Sequence, residues 1–156
     1  MNIVRIMVLP LLLAVHGLAS GGINGGDAAY NRGDYDAALQ EWRPLAEQGN
    51  AVAQLNLGFM YVNGYGVLQD YEEAIKWYRR AADQGNARAQ YNLGLMYDNG
   101  YGVPQDYVQA HMWYNIAGVA GETVPISYRD FVAREMTPAQ VAAAQTLARE
   151  WIEKHP

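Results

Sequence analysis

Small, apolar and polar positions alternate along residues 51–122 with the spacing of amphipathic helices, and they do so twice. Ala74, Trp77, Tyr78 and Ala81 fall at i, i+3, i+4 and i+7, which predicts a helix burying a single stripe. The same stripe returns at Ala110, Trp113, Tyr114 and Ala117. Ahead of each lies a stretch rich in small residues, with Ala53 and Gly58 in one and Ala89 and Gly94 in the other. These stretches predict helices over 51–63 and 87–99 that approach their neighbours closely. Glycine inside a helix costs about 0.5–1 kcal/mol relative to alanine. Two at matching positions therefore predict a compensating contact.

Laid over 87–122 without a gap, 51–86 matches at 21 of 36 positions. Asn56-Leu57-Gly58 returns as Asn92-Leu93-Gly94, and Asn63-Gly64-Tyr65-Gly66-Val67 as Asn99-Gly100-Tyr101-Gly102-Val103. A fixed period of this length marks a stacked repeat and outranks any local motif. Each unit reads as a pair of antiparallel helices. Gly49-Asn50 and Gly85-Asn86 join a glycine that closes one helix to an asparagine that caps the next. Gly64 and Gly100 end the first helix of each pair. Asp70 with Glu73, and Asp106 with Gln109, fit capping boxes that open the second.

An imperfect unit precedes these two. Asp34-Tyr35, Ala38 and Gly49 match Asp70-Tyr71, Ala74 and Gly85, but its first helix, around 27–32, is short and the Asn-Gly-Tyr-Gly-Val turn is missing. About three units make a stable stack, and the terminal ones are atypical, so this unit completes the count as a cap. At the other end, Val108, Met112 and Ile116 form an apolar strip that needs a cover. A short helix from Ser127 to Glu135 follows. Thr137-Pro138-Ala139-Gln140 then opens a longer helix to about Lys154, whose Val141, Ala144, Ala148 and Trp151 supply that cover.

The run Ala-x-Ala-Gln-x-Asn-Leu-Gly-x-Met-Tyr-x-Asn-Gly-x-Gly-Val-x-Gln-Asp-Tyr-x-x-Ala-x-x-Trp-Tyr-x-x-Ala, present at 51–81 and 87–117, resembles the Sel1-like repeat, a relative of the tetratricopeptide repeat. The segments around Met136–Gln140 and Ala148–Trp151 resemble the closing helix of bacterial members of that family. The resemblance implies an all-α, right-handed α-solenoid of antiparallel helix pairs with a C-terminal capping helix. It divides the chain into 27–48 (a degenerate tetratricopeptide-like unit), 49–84 and 85–120 (full repeats) and 121–156 (capping helices). It also implies a non-catalytic adaptor that binds a protein or peptide of unknown identity in the cell envelope. The alternative is a cell-wall-active or β-lactam-binding hydrolase, as in a cysteine-rich branch of the family. That branch carries a disulfide in each repeat, and this chain has no cysteine.

The two copies contain their own indication of a binding face. On the first helix only Val52/Arg88, Leu55/Tyr91, Phe59/Leu95 and Val62/Asp98 differ. At 100° per residue these four positions lie within an arc of about 80°. Positions held by helix packing should agree between copies, and a face turned to a partner need not. Val52, Leu55, Phe59, Val62, Arg88, Tyr91, Leu95 and Asp98 are therefore expected to line an exposed groove, the concave face in tetratricopeptide hairpins, suited to a peptide.

Residues 1–19 differ from everything after them. Arg5 precedes the apolar run Ile6–Val15, and Gly17 and Ala19 stand where a signal peptidase needs small residues. This is the order of a secretory signal peptide; the run is shorter than the ~20 residues that span a bilayer. Cleavage after Ala19 is expected, giving a periplasmic or secreted chain without stable membrane insertion, and residues 20–26 read as a glycine-rich leader. The net charge of −5 argues against nucleic acid as a partner. The residues offer little chemistry. Ser20 and Ser127 lie in no nucleophile motif. His111 and His155 stand apart, with His111 in the slot of Ile75. Asp70/Glu73 and Asp34/Asp36 sit at helix starts, and the Gly-Tyr-Gly turns lack the following lysine of a phosphate loop. No catalytic residue, metal or cofactor is expected.

Overall fold

The computed structural model describes residues 24–122 and 124–156, which form eight α-helices and, among the described residues, no strand. They are α1 (Asn24–Asn31), α2 (Tyr35–Glu47), α3 (Ala51–Asn63), α4 (Tyr71–Asp83), α5 (Ala87–Asn99), α6 (Tyr107–Val119), α7 (Val124–Ala133) and α8 (Pro138–Lys154). Consecutive helices pack as antiparallel pairs, and each pair packs on the next, as a solenoid requires.

Local chemistry sets the helix limits. Asn50 accepts from the amides of Val52 and Ala53, and Asn86 from that of Ala89. Asp70 accepts from Glu73 N at 3.0 Å, and Asp106 from the amides of Val108 and Gln109. Gly64 and Gly100 close α3 and α5 with φ of 68° and 72°, the left-handed region that glycine occupies without strain. The reciprocal arm of a capping box forms at Thr137/Gln140. At Glu73 it is replaced by an ion pair with Lys76 at 2.8 Å.

Contacts between pairs repeat with the period of the sequence. Gln54 donates to Ala46 O (3.0 Å) and Gln90 to Ala82 O (3.1 Å), each joining a first helix to the helix before it. Arg43 donates to the Tyr61 hydroxyl and Arg79 to that of Tyr97. Tyr35 stacks on Tyr65 with centroids 4.4 Å apart, and Tyr71 on Tyr101 at 4.9 Å. Within each pair a first-helix glycine lies under an aromatic ring of the second: Gly26 under Trp42, Gly58 under Tyr78 and Gly94 under Tyr114. These are the contacts that compensate the mid-helix glycines.

Two boundaries differ from expectation. α1 includes Asn24–Gly26, inside the stretch read as a leader, and Gly26 lets its backbone close on the Trp42 indole. α7 begins at Val124, three residues before Ser127, with Pro125 in its first turn, where the missing N–H costs nothing. The expected signal peptide and residues 20–23 lie outside the described residues. Among the described residues no helix is long and apolar enough to cross a membrane.

The apolar strip of α6 is covered as its pattern requires. Met112 and Ile116 are buried in a cluster with Trp113 and Ala148, with Trp151 and Ile152 packed against it. α8 thus packs chiefly on α6.

Candidate interaction face

The four-position row that differs between repeats does not form an open groove. Leu55, Tyr91, Leu95 and Asp98 are each less than a tenth exposed, at 7%, 6%, 7% and 5%. Val52, Phe59, Val62 and Arg88 are half-buried. No residue of α3 or α5 is fully open to solvent. The expected groove is therefore corrected: half of its lining is core.

Each row is covered by its neighbours. Leu55 packs with Tyr78, Ala81 and Ala82 of α4 and Ala89 and Leu93 of α5. The Phe59 ring meets Tyr30 of α1 edge-on at 6.1 Å and Tyr65 at 5.9 Å. Tyr91 and Leu95 pack with Tyr114 and with Val132 of α7, and the Tyr91 ring contacts Tyr128 at 5.4 Å. Asp98 is tied to the Tyr114 hydroxyl at 3.3 Å. Burial, then the Asp98 carboxylate, hold the Tyr114 hydroxyl well above the usual phenol range; burial and Tyr128 do the same to Tyr91. Neither phenol ionises in ordinary conditions, so the cluster is a structural knot. Arg88 is the polar exception, 43% exposed along its side chain and 3.8 Å from Glu122.

α7 explains the cover. Advancing α5 by the 36-residue period gives 123–135, which is α7 to within two residues at each end. Buried Ala53 and Ala89 correspond to buried Pro125, and buried Met60 and Met96 to buried Val132. α7 is thus a third first helix in register. Its counterparts of the variable row are Val124, Ser127, Phe131 and Arg134, and all four are exposed. Sequence reading missed this row, because no residue of 123–135 is identical to its counterpart in 87–99. The available signal was the phase of the buried small and methyl-bearing slots alone.

His111 lies in α6 facing α7. It is buried, and its Nδ1 has no hydrogen-bond partner among the described residues. Burial lowers its pKa below the usual 6.5 and the Arg129 charge lowers it further, against a smaller opposing effect of Asp130. The unfolded chain therefore takes up this proton more readily than the folded one. The stabilisation is complete above about pH 6.5 and is lost as pH falls below it. We expect the melting temperature to fall between about pH 7 and 5, and to fall less in His111→Ile, which installs the residue of the matching slot in the preceding repeat. Thermal melts of both proteins across that range check it; equal slopes would exclude His111 as the source.

Residues 51–86 and 87–118 match the profile of the Sel1 repeat. The helical solenoid thus contains two Sel1 repeats, and repeats of this kind serve in protein–protein interaction. It is similar to the crystal structure of a protective antigen of uropathogenic Escherichia coli strains that displays an SLR fold, with a TM-score of 0.81 and 33% identity over 85% of this chain and 29% of that one. It is also similar to a Sel1 repeat protein from Oxalobacter formigenes, with a TM-score of 0.69 and 29% identity over 83% of this chain and 56% of that one. The chain thus spans less than two thirds of either relative. No curated protein matches it. Among the described residues no group of three or more His, Asp or Glu side chains is placed to hold a metal ion.

Proposed function

We propose that this protein is an exported, non-catalytic adaptor of the cell envelope that binds a protein or peptide along the first-helix side of its stack. The observation that carries the reading is the restriction of first-helix variation to one row while 21 of 36 positions of the repeat are kept. The repeated frame, with its caps, glycine–aromatic contacts and stacked tyrosines, is held constant, and of the row that differs Val52, Phe59, Val62 and Arg88 keep part of their surface exposed. Since Leu55, Tyr91, Leu95 and Asp98 are committed to packing, the partner is met by the half-buried Val52, Phe59, Val62 and Arg88. Three apolar side chains and one arginine suit a short segment with an apolar anchor and an acidic group. The Arg5-to-Ala19 segment, in the order of a secretory signal, supports export.

The test compares capture from envelope extract by the wild-type protein and by Val52→Asp/Arg88→Glu, followed by titration of the captured protein, purified, against both. Both side chains are half-buried, Val52 at the edge of the cluster around Trp42 and Arg88 beside Glu122, so helical content and melting temperature are measured alongside binding. We expect the double variant to lose most of the binding while keeping its helical content. Equal affinity for both proteins would remove this face from consideration. N-terminal sequencing of the protein from cells, expected to begin at Ser20, tests export separately.

A further inference from the structure

In the interior of the stack the variable row of one first helix is covered by the next first helix: Tyr91 and Leu95 of α5 lie under Tyr128 and Val132 of α7. α7 is the last first helix among the described residues, and the side chains of its own row are exposed. Val124 is 42% and Phe131 46% exposed, and Ser127 and Arg134 are exposed between and beyond them. Ile126, also exposed, lies on another side of α7, against Gly118 of α6. Large exposed apolar side chains such as Phe131 and Val124 on a small protein mark a contact site.

We propose that a second copy of this chain covers this row, the two α7 helices pairing antiparallel about a twofold axis. The row carries the argument. Its spacing of three, four and three residues reads the same in both directions, so an antiparallel copy presents the same four positions in reverse. Phe131 then faces Ser127 of the partner copy, a large side chain over a small one, twice. Arg134 faces Val124 of the partner copy, laying its aliphatic stem on the valine and carrying its guanidinium toward Glu122. The Glu122 side chain is 39% exposed, and its contact with Arg88 is long, at 3.8 Å. Asp130, the acid within α7, is occupied by Arg129 at 2.7 Å. Shape and charge are therefore both self-complementary, as a twofold interface demands. The pairing and the partner binding proposed above share one contact, Arg88 with Glu122, whereas Phe131 lies outside the α3 and α5 face.

The experiment measures the mass of the purified protein by light scattering and sedimentation over a wide concentration series. The wild type is expected to move from one chain mass toward twice that mass. Phe131→Asp is expected to remain a monomer with unchanged helical content. Arg134→Glu and Glu122→Arg, each alone, place like charges across the interface and are expected to be monomeric. Mixed together they are expected to form a heterodimer, because each then offers the charge that the other lacks. A folding defect would not be repaired by mixing. A wild type that stays monomeric throughout overturns the proposal; so does a dimer unaffected by Phe131→Asp, or a pair of charge variants whose mixture recovers nothing.

Discussion

Replacing Trp113 by alanine is expected to destabilise the protein by about 3–5 kcal/mol, the usual cost of emptying a large buried aromatic site. At about 2–4 °C per kcal/mol for a chain of this size, the melting temperature should fall by roughly 10 °C. Trp113 is fully buried on α6, clustered with Met112, Ile116 and Ala148. Its ring meets Trp151 of α8 edge-on at 5.6 Å, and the Arg79 guanidinium of α4 lies 5.1 Å from its centroid. One side chain thus joins the second repeat to its neighbours on both sides. A cavity there cannot be closed by local repacking, because three helices would have to move together. The damage should also be directional. Stacked repeats are held by nearest-neighbour contacts, so α8 should lose its protection from hydrogen exchange before α3 does. Trp151 is only half-buried, and its substitution should cost less. In the Trp113→Ala background Trp151→Ala should cost less still, since the shared contact is already gone. A calorimetric or chemical-denaturation series over the single and double variants checks all three statements.

How far the sequence could be read depended on the range of the forces involved. The caps at Asn50, Asn86 and Thr137, the left-handed glycines and the extents of α3 and α5 are fixed within a few residues of themselves, and they were legible. The cover of Met112 and Ile116 was legible as well, since an unpaired apolar strip of that length demands one. α7 was not. Its membership of the repeat lies only in which slots are buried, and that phase is invisible until Pro125 and Val132 are seen inside. The binding row failed for a related reason. Difference between copies was equated with exposure, yet the two copies have different neighbours. The Tyr78 hydroxyl finds Asn92 one repeat on. The corresponding slot for Tyr114 holds Tyr128, and the hydroxyl turns instead to Asp98. Asp98 departs from Val62 because of what lies beside it in the core.

Gly94→Ala provides the sharpest test of what holds each pair together, because two physical effects predict opposite signs. By intrinsic helix propensity alanine should stabilise α5 by about 1 kcal/mol. By packing it should do the reverse, since a Cβ at this position would lie 2.4 Å from Tyr114 Cε1 and 2.5 Å from Cδ1. The obstructing atoms belong to a ring that is itself fully buried, wedged against Tyr91 and Tyr128 and tied to Asp98. It cannot swing aside as the tip of a flexible side chain could. Overpacking of a core commonly costs about 1–3 kcal/mol, and here it must also force α5 and α6 apart along the seam that α7 covers. A net loss of about 2 kcal/mol or more is expected, measured as a lower denaturation midpoint with an unchanged slope. Gly58→Ala should behave alike, as its Cβ would lie 2.5 Å from the Tyr78 ring. Gly94→Ala/Tyr114→Leu, which removes the ring, should recover part of the loss. A more stable Gly94→Ala protein would mean that the close approach of the helices is not what the glycine serves.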